Sequence, residues 1–210
     1  MSKSSHHPIR RGRYTAPSPR RLSLVPSSVR LPKVRTQAPA LHDCPACAAE
    51  REGRDVDAFF AETQAERNRR VDAGEMMITY VDDDVPWAYT IGRILDGSPE
   101  LLVLGVDPSS AAGVLNRLHG EWPRVEEWMD GQPEDDPFYA SLRLIPIPDR
   151  LWDTTDYLLL AADNARRCGL SDEREALQVV WADPAGVFPW EPGFSRRLAA
   201  LQPILGLQPF

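Results

Sequence analysis

The chain is short of the residues on which most familiar catalytic sites are built. It has four histidines in 210 residues, and two of them, His6 and His7, lie near the start, leaving His42 and His119 for the rest. It contains no Gly-x-Ser-x-Gly, no phosphate-binding loop, no His-Glu-x-x-His and no Gly-x-Gly-x-x-Gly after a strand. The usual signatures of serine hydrolases, P-loop enzymes, zincins and dinucleotide-binding enzymes are therefore missing. Three cysteines, an odd number, do not make a secreted disulfide scaffold and point to a reducing, cytoplasmic setting. No stretch reaches the roughly 18 to 20 apolar residues that span a bilayer.

Acid is missing from residues 1–40, which carry nine Lys or Arg and six prolines among serines. Without apolar periodicity, that composition predicts a disordered basic leader. Pro19-Arg20-Arg21-Leu22-Ser23-Leu24 looks superficially like a twin-arginine export signal, but Pro26, Ser27 and Ser28 end its apolar run at once, so export is not expected. The remaining residues carry fifteen Arg against thirty-one acids. Such an acidic body repels phosphate, and nucleic acid is expected to bind only through the leader, if at all. The expected organisation is a leader over 1–40, one domain over 41–202 and a tail over 203–210.

Within the domain, a helix is expected from Asp55 to Val71, closed by Gly74. A strand from Met76 to Val81 and a turn at Asp82-Asp83-Asp84 follow; the turn is more economical than a site for a hard cation, because a Pro comes next. In Trp87-Ala88-Tyr89-Thr90-Ile91-Gly92, large and small residues alternate. A strand places them on opposite faces, so one face packs a core and the slim face admits either a helix or a ligand. Leu101–Val106 is apolar on both faces, which suits a central strand. Asp107-Pro108 is a strong helix start. Residues 120–137 read as an acidic surface loop, with Trp122 and Trp128 either anchoring a partner or covering the body. Strands are expected over Phe138–Ile147 and Leu177–Trp181, separated by a helix capped at Asp153. The sum is an α+β fold, with a mixed or mostly antiparallel sheet of about five or six strands and about three helices packed on it.

Three segments carry a resemblance. They are Trp87–Gly92, then Pro99-Glu100-Leu101-Leu102-Val103-Leu104-Gly105, and finally Leu177–Trp181 with Asp183, Gly186, Phe188-Pro189-Trp190 and Pro192-Gly193-Phe194. In this order and spacing they resemble the bacterial family DUF4262, a domain of unknown function, over about residues 75–195. The resemblance implies a single fold unit in a bacterial, intracellular setting, and it brings no activity with it. Arg93 stands where the family usually has Leu, and Ser98 where a His often precedes Pro-Glu. Any chemistry that this His performs in relatives is lost here.

Two constellations remain as candidate chemistry. His42-x-Cys44-x-x-Cys47 has the spacing of half a zinc site, with Cys168 as a distant fourth ligand; the alternatives are a redox pair and, favoured by the missing second pair, a helix entrance with two unligated thiols. Glu100 and Asp183, at strand ends, form a candidate acid–base pair, with Trp87, Tyr89, Thr90, Gly92 and Trp190 as ligand-binding surroundings. The alternative makes the aromatics core, Glu100 a surface acid and Asp183 a turn former. Two functions are consistent with these residues. One is a domain that binds a small molecule, with or without catalysis, over the slim face of Trp87–Gly92. The other is a protein–protein interaction module without catalysis.

Overall fold

A chain whose strands alternate large and small residues must cover both faces of its sheet, and the computed structural model shows how. It describes residues 45–129, 136–172 and 174–206. Helices α1 (Pro45–Arg51) and α2 (Val56–Asp72) precede the hairpin β1 (Met77–Val81) and β2 (Trp87–Ile91). A 3₁₀ turn (Arg93–Asp96) leads to β3 (Glu100–Leu104), followed by α3 (Pro108–Gly120), α4 (Trp122–Met129) and α5 (Pro137–Ala140). Then come β4 (Leu142–Pro146), α6 (Leu151–Thr154), α7 (Leu159–Arg167), β5 (Ala176–Trp181) and α8 (Arg196–Leu201).

The five strands form one mixed sheet in the order β1-β2-β3-β5-β4. Neighbours are antiparallel except β3 and β5, which run parallel, with Glu100 opposite Ala176 and Val103 opposite Val179. The last strand in the chain thus sits between β3 and β4. An α+β fold with a mixed sheet is what the pattern predicted. Eight α-helices among the described residues exceed the expected three, because several are single turns or hidden in segments that read as loop.

On one face Ala88, Leu101, Val103, Leu177, Val179 and Trp181 lie beneath Ala111, Leu115 and Leu118 of α3 and Val125 of α4. On the other, Trp87, Tyr89, Ile91, Leu102 and Leu104 meet Val71 at the end of α2, Trp152 of α6, and Leu158, Ala161 and Ala162 around the start of α7. All five residues of β2 and of β3 are buried. The C-terminal segment is strapped to this second layer. Gln178 donates to Pro203 O at 2.7 Å and accepts from Leu205 N at 2.8 Å, while Gln202 pairs with both backbone groups of Trp181.

The segment expected as an acidic loop contains α4 and ends on the first residue of α5. Trp122 and Trp128 pack partly buried against the core cluster around Val125, so in this structure they cover the body. The expected strand from Phe138 is shorter: α5 takes Phe138 and Tyr139, and β4 starts at Leu142. Asp153 sits inside α6 and pairs with Arg174 rather than capping a helix. No helix among the described residues is long and apolar enough to cross a membrane.

Candidate functional site

The β2–β3 ladder stops at Tyr89 opposite Leu102, and a buried carboxylate takes over from it. Leu101 N donates to Thr90 Oγ1 at 2.8 Å, and the Thr90 hydroxyl in turn donates a hydrogen bond to Glu100 Oε2 at 2.6 Å. Gly92 N at 2.8 Å and Ile94 N at 3.4 Å donate to Glu100 Oε1. The carboxylate thereby satisfies backbone donors that the diverging strands can no longer pair, a need that arises wherever buried backbone leaves a ladder. Gly92 has φ +106, and a Cβ there would lie 3.2 Å from Val71 Cγ1 and 3.3 Å from Glu75 O. The positive φ favours glycine, and a Cβ would be crowded by both neighbours. Glu100 is fully enclosed. Burial holds its carboxyl above the usual glutamate range, against the opposing pull of Thr90, the two amides and the Arg93 charge.

Arg93, next along the chain, is itself only 1% exposed. Its Nε donates to Pro99 O at 2.7 Å, and its Nη1 lies 2.8 Å from His119 Nδ1 at the end of α3. The guanidinium sits 4.2 Å from the centre of the Trp122 ring, and Nη2 has no hydrogen-bond partner among the described residues. Arginine can only donate, so His119 Nδ1 must accept and the imidazole is neutral with its proton on Nε2. Burial lowers the His119 pKa, the Arg93 charge lowers it further, and Asp96 opposes them.

The brace around Glu100 and the hairpin before it lie inside the segment from residue 70 to residue 195 that matches the family model described as Domain of unknown function (DUF4262). The chain belongs to the DUF4262 family. No curated protein and no solved structure matches it. The DUF4262 segment starts in the last turn of α2 and stops just short of α8, so it contains the whole sheet and leaves the C-terminal strap outside.

Within the DUF4262 segment the residues singled out from sequence fall into separate places. Thr90, Gly92 and Glu100 meet in one network. The slim face of β2 is occupied by a helix: Ala88 packs with Ala111, Leu115 and Leu118 of α3. On the bulky face, Tyr89 OH accepts from Leu160 N at 3.2 Å, and Trp87 meets Tyr157 edge to face at 5.2 Å.

Asp183 does not join Glu100. Its side chain accepts from Ala185 N at 2.9 Å and Val187 N at 3.0 Å, closing a turn. Because β3 and β5 run parallel, Glu100 stands beside the first residue of β5, whereas Asp183 lies beyond its last, roughly 20 Å away at about 3.3 Å per residue. The expected acid–base pairing of these two residues is therefore not formed. Trp190 is at the Asp183 end. It is 44% exposed and stacked on buried Phe188, with ring centres 5.2 Å apart and planes 7° from parallel.

Of the expected zinc ligands, His42, Cys44 and the side chain of Cys47 lie outside the described residues. Cys168 ends α7, with its thiol 3.9 Å from Asn164 Oδ1. Arg93 and His119 were not expected to meet. In the sequence Arg93 stands out only as a departure from the family pattern, and nothing local ties it to His119 at the end of α3. An open groove of about 470 Å³ lies at α6 and α7, lined by Trp152, Asp153, Thr155, Leu159 and Arg166 among others. It is separate from the Glu100 network.

Proposed function

We propose that this DUF4262 domain is a protein-binding module that works by surface contact, with the Trp190 indole as its anchor. The observation that carries the reading is the exposed Trp190 ring held flat on Phe188. The loop beneath it is cross-braced by hydrogen bonds. Phe188 N donates to Glu191 Oε2 at 2.7 Å, Glu191 N donates to Phe188 O at 2.9 Å, and Asp183 N donates to Val187 O at 2.8 Å. Arg143 lies 4.5 Å from the centre of the Phe188 ring. An aromatic ring already fixed in place gives up little entropy on binding, and Trp is enriched among residues that dominate interface energies. Phe60, Leu95 and Leu159 are also exposed, but single aliphatic or helix-surface groups are ordinary. The partner chemistry that fits is a protein segment that lays a proline or aliphatic side chain on the ring.

A photo-crosslinking residue placed at position 190 in cells making the protein is expected to give a discrete protein adduct. The same residue at exposed position 159 serves as the control. Equal adducts from both positions, or none from 190, reject the reading. Trp190→Ala should weaken that partner by about thirtyfold, the scale of a ~2 kcal/mol anchor, while leaving the fold intact.

A second reading rests on the groove at α6 and α7. Its volume of about 470 Å³ falls within the roughly 300–1,000 Å³ typical of small-molecule sites, and exposed Leu159 gives it an apolar wall. A metabolite panel screened by thermal shift, with Leu159→Asp as the blocked form, tests it. A stabilising compound indifferent to that substitution would exclude the groove as its site.

A further inference from the structure

Most polar groups at the Glu100 end of the sheet are matched donor to acceptor, and one contact depends on a single proton. His119 Nδ1 and Arg93 Nη1 are 2.8 Å apart, which is a hydrogen bond only while Nδ1 carries a lone pair. We propose that the Arg93–His119 contact is an acid-operated latch, which holds the first turn of α4 against the end of the sheet and releases it when His119 takes up a proton.

A proton on Nδ1 would set donor against donor and cation against cation at that distance. The surrounding charges do not cancel the conflict. From the 3₁₀ turn come Arg93, directly in contact, and Asp96, whose attraction for the imidazolium is smaller than the Arg93 repulsion. Glu100 of β3 and Glu126 of α4 act on Arg93, and Glu126 is also bonded to Trp122 Nε1. On the same helix as His119, Arg117 is already engaged by Glu121 and Asp136.

Of the three groups in the cluster, Trp122 is the one free to move. Arg93 is enclosed and tied to Pro99 O. His119 belongs to α3, whose Leu115 and Leu118 are fully buried. Trp122 is only partly buried and opens a helix of eight residues in which Val125 is the buried residue. The repulsion is relieved most easily by letting Trp122 slide off the guanidinium, with the start of α4 following.

The test is amide hydrogen exchange of the full-length protein between about pH 7.5 and pH 5, the interval that brackets histidine titration. Rates are corrected for intrinsic pH dependence. In the wild type, amides of residues 125–129 should open more readily by up to tenfold per pH unit below the His119 titration, the slope that uptake of one proton imposes. His119→Gln, whose amide oxygen can still accept from Arg93, should remove that slope. Arg93→Leu should bring the His119 titration, followed by its ring proton resonance, back up toward the ordinary histidine value. A flat wild-type profile overturns the latch. So does an unchanged slope in H119Q, which would place the proton on a group other than His119. Equal acceleration in β3 and β5 would mean global unfolding and would also reject it.

Discussion

Thr90→Val is the most direct test of the brace at the end of the β2–β3 ladder. The substitution keeps the branched shape and removes one oxygen that serves two buried groups. That oxygen donates to the Glu100 carboxylate at 2.6 Å and accepts from Leu101 N at 2.8 Å. A hydrogen bond to a charged group contributes about 1.5–3 kcal/mol, and an orphaned buried N–H costs about 1–3 kcal/mol. The two losses share one atom and do not add fully, so about 3–4 kcal/mol is expected. For a domain of this size each kcal/mol lowers Tm by roughly 2–4 °C, giving a drop near 10 °C. Urea denaturation followed by circular dichroism measures it. Thr90→Ser, which keeps the oxygen and gives up a methyl, is the control and should cost only about 1 kcal/mol. A T90V loss below about 1 kcal/mol, or one equal to that of T90S, refutes the assignment of this network as a structural brace.

Gly92→Ala meets both positive φ and the Val71 and Glu75 contacts, whereas Gly97→Ala has φ +79 with open space around it. The first should cost about 2 kcal/mol more than the second in parallel denaturant melts, since only it adds a clash to the backbone strain. Asp183→Ala should cost about 1 kcal/mol and combine with Glu100→Gln additively to within about 0.5 kcal/mol, as distant sites do; a larger coupling in the double-mutant cycle would place the two carboxylates in contact. Glu100 titrates above its ordinary range when folded, so the folded state holds that proton more tightly than the unfolded chain. Its share of stability is present in acid and is lost as pH rises from the ordinary carboxylate range through the folded value. His119, with a lowered folded pKa, acts in the opposite sense, losing stability as pH falls. The difference between wild-type and E100Q stability, measured from about pH 5 to 7.5, isolates the glutamate and should shrink as pH rises; a constant difference contradicts the shift.

Much of the architecture could be read from local chemistry. Asp107-Pro108 predicted the start of α3, and Asp107 does accept from Ser109 N and Ser110 N. The large–small alternation of β2 correctly announced one slim face, and of the two occupants considered it is α3 that lies there. What escaped depended on distance in the chain. Glu100 and Asp183 both sit at strand ends, and an antiparallel β3–β5 pair would have drawn those ends together; the parallel pairing that separates them is set by how α3 through α7 cross over. The acidic character of residues 120–137 masked α4, because Glu126 and Glu127 face water while Val125 turns inward. Nor could any local pattern bring Arg93 to His119, 26 residues away.

The position of β5 has a consequence for how the chain must be made. The strand that completes the middle of the sheet is synthesised after every other strand. Until it arrives, β3 and β4 each present an open backbone edge, and both edges are flanked by apolar side chains. An emerging chain in that state is a template for pairing with another copy. Premature termination between the end of β3 and the start of β5 should therefore yield a sticky half-sheet rather than a smaller soluble protein, and ribosome-bound fragments of that length should be better clients for chaperones than the finished chain.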